Sequence, residues 1–219
     1  MQTLVTFLVV LIGWIFSLCL HEFLHALTAY WGGDITVREK GYLTFNPLKY
    51  THPVYSIVMP LVFLLLGGIG LPGGAVYIEK WRLRSRRWES AVSLAGPTAN
   101  VLLALLLALV LRLAPVSPGG IWPGLSFLAL LQVMAAVLNL FPLPPLDGYG
   151  ILAPYLPASI RARLDQLGSL LIMVFFAALW YVPIVSDAFW AVTLLVARVL
   201  GLPLSLAAMG LDQFQFWRR

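Results

Sequence analysis

Two histidines and a glutamate form the pattern with the clearest chemical meaning. His21, Glu22 and His25 spell HExxH in the stretch HEFLH. On an α-helix, residues four apart lie on one face about a turn apart, so both imidazoles can bind one zinc ion. A catalytic zinc has three protein ligands and a water, and the glutamate beside the first histidine can act as general base. The motif therefore predicts zinc-dependent hydrolysis, and simple hydrogen bonding between helices is the alternative.

A third zinc ligand must come from a distant part of the chain. Asp147 follows residues 142–145, PLPP, at the end of an apolar run, and Glu89 lies close to a basic segment. The prolines prevent regular helix, and unwound backbone at membrane depth should line a cavity. Asp147 is therefore the leading candidate, while an ordinary turn at Asp147 and Gly148 is the alternative.

The composition excludes an ordinary soluble domain. Of 219 residues, 61% are hydrophobic and 11% are charged, whereas soluble proteins carry about 25% charged residues. The net charge of +5 does not indicate nucleic-acid binding, because the basic residues flank apolar runs. We expect one all-α polytopic membrane domain, residues 1–219, with five to six transmembrane helices. Full spans are expected at residues 4–31, 90–111, 121–141, 166–186 and 188–211.

The basic residues predict how the chain is oriented. Most of them lie in residues 38–49, 80–87, 161–163 and 218–219, which should all face the cytoplasm. Residues 54–71 must then enter the membrane and return to the same side as a re-entrant element. This arrangement places His21, His25 and Asp147 at similar depth, towards the cytoplasmic side of the cell membrane. Arg198 lies within an apolar run and should face the bundle interior or an interface.

Several further residues are candidates for substrate contact. The Gly-rich re-entrant element should carry short extended segments, and its exit includes Gly73 and Gly74. Such an edge could take up an unwound substrate as an added strand, although a flexible loop is the alternative. Asn100 could point into the cavity or serve helix packing. His52 is expected to be an interfacial residue and not a ligand.

Two motifs of the sequence resemble the site-2 proteases, which are intramembrane zinc metalloproteases. HEFLH at residues 21–25 resembles the family's zinc helix, and NLFPLPPLDG at residues 139–148 resembles its second signature. GPTAN at residues 96–100 and LTFNPLKYTHP at residues 43–53 resemble short family members. The likeness covers about residues 7–150.

This resemblance implies roles for particular residues. His21, His25 and Asp147 would bind zinc, Glu22 would be the base, and Asn139 would help to hold the substrate backbone. The sequence departs from the family at His52, where many relatives have an acidic residue. We also find no room for the PDZ or CBS domains that regulate other members.

The expected protein is therefore a zinc metalloendopeptidase of the lipid bilayer. With Zn²⁺ as cofactor, it would cut membrane protein substrates within or near a transmembrane helix, in regulated intramembrane proteolysis. The catalytic core would span about residues 4–150, with C-terminal helices in residues 151–219. The main alternative is a non-catalytic zinc-binding or zinc-transporting membrane protein, and a peptidase acting on soluble substrates is another.

Overall fold

The computed structural model describes residues 1–46, 49 and 76–216, and within these residues every regular element is helical. Two short 3-10 helices, Lys80–Arg82 and Ala153–Tyr155, lie among eight α-helices of this part. The predicted all-α class is confirmed for the described residues. The α-helices are α1 (Gln2–Gly32), α2 (Thr36–Glu39), α3 (Arg86–Leu113), α4 (Trp122–Asn139), α5 (Asp147–Leu152), α6 (Ala158–Tyr181), α7 (Pro183–Val199) and α8 (Leu204–Phe214).

Local backbone chemistry explains where the long helices begin and end. α1 is followed by Gly33, whose φ of 119° is a left-handed conformation that glycine adopts without strain. Ser85 caps the start of α3, where its hydroxyl accepts a hydrogen bond from the Trp88 N–H. Pro123 and Pro183 lie in the first turns of α4 and α7, where a missing N–H removes no helical hydrogen bond.

Helix α4 lies at the centre of the bundle. It packs against α1, α3, α7 and α8. Phe127 and Leu131 of α4 share a buried core with Val10 and Trp14 of α1 and with Phe214 of α8. By contrast, α6 packs chiefly on α7 and leaves most of its surface open. The most central helix is therefore the one that ends next to the Pro-rich stretch and Asp147.

Four helices, α1, α3, α4 and α6, are long and apolar enough to cross a membrane, among the residues that the structure describes. The predicted count of five to six spans is not confirmed. The predicted span at residues 188–211 is divided into α7 and α8, because Gly201 has a φ of 72° and Pro203 precedes α8. Arg198 lies exposed in the last turn of α7, where a cation is favoured by the helix dipole.

The predicted re-entrant element lies outside the described residues. This applies to residues 54–71, to Gly73 and Gly74, and to His52. The last residues of the Gly-rich exit are described from Val76 onwards, and residues 76–79 form neither helix nor strand. Their position matters because Val76 contacts the polar cluster of α1.

Candidate functional site

Three side chains from two distant parts of the chain converge at the inner face of α1. The Nε2 atoms of His21 and His25 lie 3.0 Å apart. The Asp147 oxygens lie 3.2 Å from His21 Nε2 and 3.3 Å from His25 Nε2. Both histidines are buried and Asp147 is partly buried. The structure therefore places the HExxH motif next to Asp147.

The other nitrogen of each imidazole is held by a hydrogen-bond acceptor. His25 Nδ1 lies 2.6 Å from the Val92 carbonyl oxygen, and His21 Nδ1 lies 2.7 Å from Asn100 Oδ1. Because these oxygens accept, each Nδ1–H donates, and in the neutral imidazole each Nε2 then keeps its lone pair. Metal-binding histidines are commonly oriented in this way by a second layer of residues. Both acceptors lie on α3, which therefore aims the imidazoles of α1.

Gly96 makes room for the two imidazole rings against α3. A Cβ atom at this position would collide with His21 Nε2 and with His25 Nε2. The neighbouring Pro97 lies inside α3, and a proline there removes one helical hydrogen bond and bends the helix. The motif GPTAN thus places a residue without a side chain, Gly96, against the two imidazole rings, and Asn100 follows one helical turn later.

The loop between α4 and α5 carries Asp147 back to the histidines. Leu146 is extended, and Asp147 begins the short helix α5. A Cβ atom at Gly148 would collide with the Leu140 carbonyl group, so only glycine allows the loop to fold back this closely. α5 is also tied to α3, because the Ser90 hydroxyl donates to the Ile151 carbonyl at 2.7 Å. These contacts fix the position of the carboxylate.

Known proteins similar to this chain share one description. The chain is 43% identical over 213 residues to "Putative zinc metalloprotease Rip2" of Mycobacterium tuberculosis, which covers 96% of this chain and 81% of that protein. It is 51% identical over 172 residues to the protein of that name from Mycolicibacterium smegmatis, covering 77% and 66%. It is 32% identical over 188 residues to "Putative zinc metalloprotease YwhC" of Bacillus subtilis, covering 80% and 81%.

The chain belongs to the site-2 protease family. The four apolar helices found among the described residues, together with these relatives, identify it as a multi-pass membrane protein. No family model and no solved structure matches the chain.

Family membership implies a zinc ion, and the three converging side chains fit one. Zinc binds imidazole nitrogen and carboxylate oxygen at about 2.0–2.2 Å, which in tetrahedral geometry separates neighbouring ligand atoms by about 3.3 Å. The observed separations of 3.0, 3.2 and 3.3 Å among the three side chains are close to that value. When both imidazoles are neutral, their Nε2 lone pairs and the Asp147 carboxylate face one point, an arrangement that a cation would stabilise.

Glu22 lies beside the two histidines and is almost fully buried. Its Oε2 accepts a hydrogen bond from the Val76 N–H at 3.1 Å. The Val76 amide thus orients the Glu22 carboxylate, which lies close to His21 and His25. This position suits a proton-transfer group next to the metal, and it joins α1 to the segment at residues 76–79.

Ion pairs anchor the other end of this segment. Asp34 is fully buried, and its Oδ2 accepts from the Glu79 N–H at 2.8 Å. Glu79 in turn pairs with Arg82 at 2.6 Å and with Lys40 at 2.9 Å. Hydrogen bonds from Arg82 and Lys40 lower the pKa of Glu79 to about 2. The segment is therefore held at Val76 by the site and at Glu79 by charged groups.

The remaining predicted residues have different surroundings. Glu89, the alternative third ligand, pairs with Arg161 at 2.6 Å and Lys80 at 3.3 Å. This pairing leaves Asp147 as the candidate third ligand from outside the HExxH motif. Asn139 is buried in the last turn of α4. Both ends of the Asn100 amide contact protein groups, so its geometry suits support of His21 better than contact with substrate.

Sequence reasoning missed two groups that surround the site. The Val92 carbonyl orients His25, but a backbone oxygen leaves no signature in the residue type. Gln132 accepts a hydrogen bond from Asn100 Nδ2 at 2.9 Å. The sequence could have indicated this role, because a glutamine within the apolar sequence of α4 costs free energy unless its polar atoms form hydrogen bonds.

Proposed function

We propose that this protein is an intramembrane zinc metalloendopeptidase that cuts membrane proteins within or near their transmembrane segments. The observation that carries the proposal is the convergence of His21, His25 and Asp147 on one point, with Glu22 beside them. The names of the relatives support zinc and proteolysis. The apolar helix that carries the motif supports action inside the membrane.

Each residue of the cluster has a role in the proposed reaction. His21, His25 and Asp147 would hold Zn²⁺, which when bound supplies Lewis acidity and an acidified water. Glu22 would take a proton from the attacking water and pass it to the leaving amine. The Val76 amide keeps the Glu22 carboxylate in place. Burial of His21, Glu22 and His25 limits access of other water to the reacting peptide.

The substrate must be unwound before it can be cut, because helical carbonyls are engaged in hydrogen bonds. Asn139, at the end of α4, would hold the freed substrate backbone. Gly73 and Gly74 would offer an edge to which the substrate adds as a strand. Val76 follows Gly74 by two residues, and its N–H donates to Glu22. This contact supports a path by which a substrate strand would reach the general base. Proline at Gly73 and Gly74 should abolish cleavage but spare zinc content, and unchanged cleavage would refute strand addition.

We further propose that the active site faces the cytoplasmic side of the cell membrane. Most Lys and Arg residues lie in residues 38–49, 80–87, 161–163 and 218–219. Because Lys and Arg are enriched in cytoplasmic loops, these segments are expected on the cytoplasmic side. Lys80 and Arg82 lie in a 3-10 helix next to the segment that reaches Glu22. A cysteine introduced at the exposed Arg86 should react with impermeant reagents only after cytoplasmic access is opened. Labelling from outside intact cells would contradict this orientation.

The main rival function is zinc binding or zinc transport without catalysis. Glu22 separates the two functions, because metal binding by two histidines and an aspartate does not need a general base. The buried position of Glu22 beside the metal ligands favours the peptidase.

The test compares Glu22→Gln with Glu39→Gln, a matched change at an exposed glutamate of α2. Membrane proteomes of cells that make each form would be compared for cleaved transmembrane proteins. Glu22→Gln should keep stoichiometric zinc and lose about 10²-fold or more of the cleavage rate, while Glu39→Gln should behave as wild type. Retained cleavage in the Glu22 variant would refute the mechanism. Fragments cut only in soluble segments would refute the substrate class.

A further inference from the structure

Gln132 is a fully buried amide in the middle of the central helix α4. Its Oε1 lies 2.9 Å from Asn100 Nδ2, and its Nε2 has no hydrogen-bond partner among the described residues. Burying an amide with one end unsatisfied costs free energy. Among the described residues, Gln132 forms a hydrogen bond with Asn100 and none with His21, His25 or Asp147, so Asn100 connects it to the site.

The two histidines are oriented by acceptors of different kinds. His25 donates to the Val92 carbonyl, a backbone oxygen whose direction is set by α3. His21 donates to Asn100 Oδ1, which belongs to a side-chain amide. An amide has an oxygen at one end and an NH₂ at the other, and it can turn over. His21 therefore needs a further contact to keep the oxygen of Asn100 towards it, whereas His25 does not.

Gln132 supplies that contact. Its oxygen accepts from Asn100 Nδ2, and this bond leaves Asn100 Oδ1 facing His21. If Asn100 turned over, its NH₂ would face His21 Nδ1, and the imidazole proton would move to Nε2. A protonated Nε2 has no lone pair for a metal.

We propose that Gln132 is a positioning residue that sets the tautomer of His21 through Asn100 and thereby raises the zinc affinity of the site. The proposal rests on the proposed zinc site and deepens it. The proposal gives a function to the chain of three hydrogen-bonded side chains that runs from α4 through α3 to α1. Loss of the Gln132 oxygen should weaken metal binding without removing any ligand.

The test measures the zinc dissociation constant of the full-length protein by competition with a chelator. Gln132→Met has a similar volume without the oxygen, and Gln132→Glu keeps an accepting oxygen in either protonation state. Ser126→Ala is the matched control, because Ser126 is also fully buried in α4 and its hydroxyl has no partner among the described residues. Cobalt absorption spectra of the same variants report the ligand geometry.

Gln132→Met should weaken zinc binding about 10-fold, the lower end of the range for groups bonded directly to a metal ligand, because Gln132 acts through Asn100. Gln132→Glu should stay within about threefold of wild type, and Ser126→Ala should bind as wild type. Wild-type affinity in the Met variant would overturn the proposal, as would an equal loss in the Met and Glu variants or in the Ser126 variant. A wild-type protein that binds no zinc would instead refute the proposed function itself, and this inference with it.

Discussion

Helices α4 and α6 have nearly the same mean hydropathy, yet they occupy opposite environments. In the most apolar stretch of each, 78% of the α4 residues are buried within the protein and only 11% of the α6 residues are. α4 also contains the buried polar residues Ser126, Gln132 and Asn139. The middle of α6 instead presents exposed apolar side chains such as Met173 and Val174.

The difference shows that hydropathy alone does not separate an inner helix from an outer one. A polar side chain in an apolar helix is costly in lipid and must find partners inside the bundle. Gln132 forms a hydrogen bond with Asn100, which in turn contacts His21 of α1. Substitutions of inner residues that contact the histidine and aspartate cluster or the substrate should therefore alter zinc binding or catalysis, and those on the outer surface of α6 should not.

The largest effect is expected at Gly96, where α3 meets both imidazoles. Gly96→Ala places a methyl group against the two Nε2 atoms, so we expect more than about 100-fold weaker zinc binding, since displaced ligands lose the geometry that zinc requires. Gly119→Ala is the control, because a Cβ atom at Gly119 meets nothing within 4 Å. Equilibrium dialysis with zinc measures both variants. Unchanged affinity in Gly96→Ala would show that the imidazoles do not lie against α3.

A smaller effect is expected at Asn139, at the site end of α4. Asn139→Ala should leave zinc content unchanged and raise the KM for a transmembrane substrate about 3- to 10-fold, because one polar contact to the substrate backbone is lost. Steady-state cleavage in proteoliposomes measures this. Loss of zinc in this variant would assign Asn139 to the metal site instead.

A weaker effect is expected where the inner and outer parts meet. The Tyr149 hydroxyl of α5 donates to Asp165 of α6 at 2.6 Å. Burial and this hydrogen bond raise the pKa of Tyr149 to about 12. A raised pKa means that the stabilisation is complete below pH of about 10 and is lost as the pH rises towards 12.

Tyr149→Phe should accordingly lower the free energy of unfolding by about 0.5–1.5 kcal/mol at neutral pH. Denaturant titrations between pH 8 and about 12 should show that the difference from wild type disappears at the alkaline end. A difference that stays constant with pH would exclude the hydroxyl as its source.

The smallest effect is expected on the outer surface of α6. Val174→Leu changes an exposed apolar side chain and should shift the free energy of unfolding by less than about 0.5 kcal/mol. Cleavage rate and zinc affinity should match wild type. A strong loss of cleavage with zinc retained would break the comparison and give α6 a part in substrate binding.

The sequence alone indicates which side chains meet in the polar cluster, because these residues are ionisable groups in apolar surroundings. The spacing of His21 and His25 on one helix face, and the matching depth of Asp147, follow from helix geometry and charge placement. The structure brings these groups within 3.3 Å of one another. The residues that support them are harder to predict, because the roles of Val92 and Gln132 depend on how α3 and α4 are rotated.

The C-terminal helices were predicted less well for a related reason. Residues 188–211 are apolar enough to suggest one span, but Gly201 and Pro203 divide them into α7 and α8. The predicted span was based on average hydropathy, which does not detect a helix break such as the one at Gly201 and Pro203. The exposed Arg198 lies next to that break.

The most direct test of the zinc site is anomalous X-ray diffraction at the zinc absorption edge on crystals of the full-length protein. We predict one peak within about 2.3 Å of His21 Nε2, His25 Nε2 and an Asp147 oxygen, and no peak there in a His21→Ala, His25→Ala double variant. A zinc ion bound by other residues, or an Asp147 carboxylate outside bonding distance of it, would contradict the proposed active site.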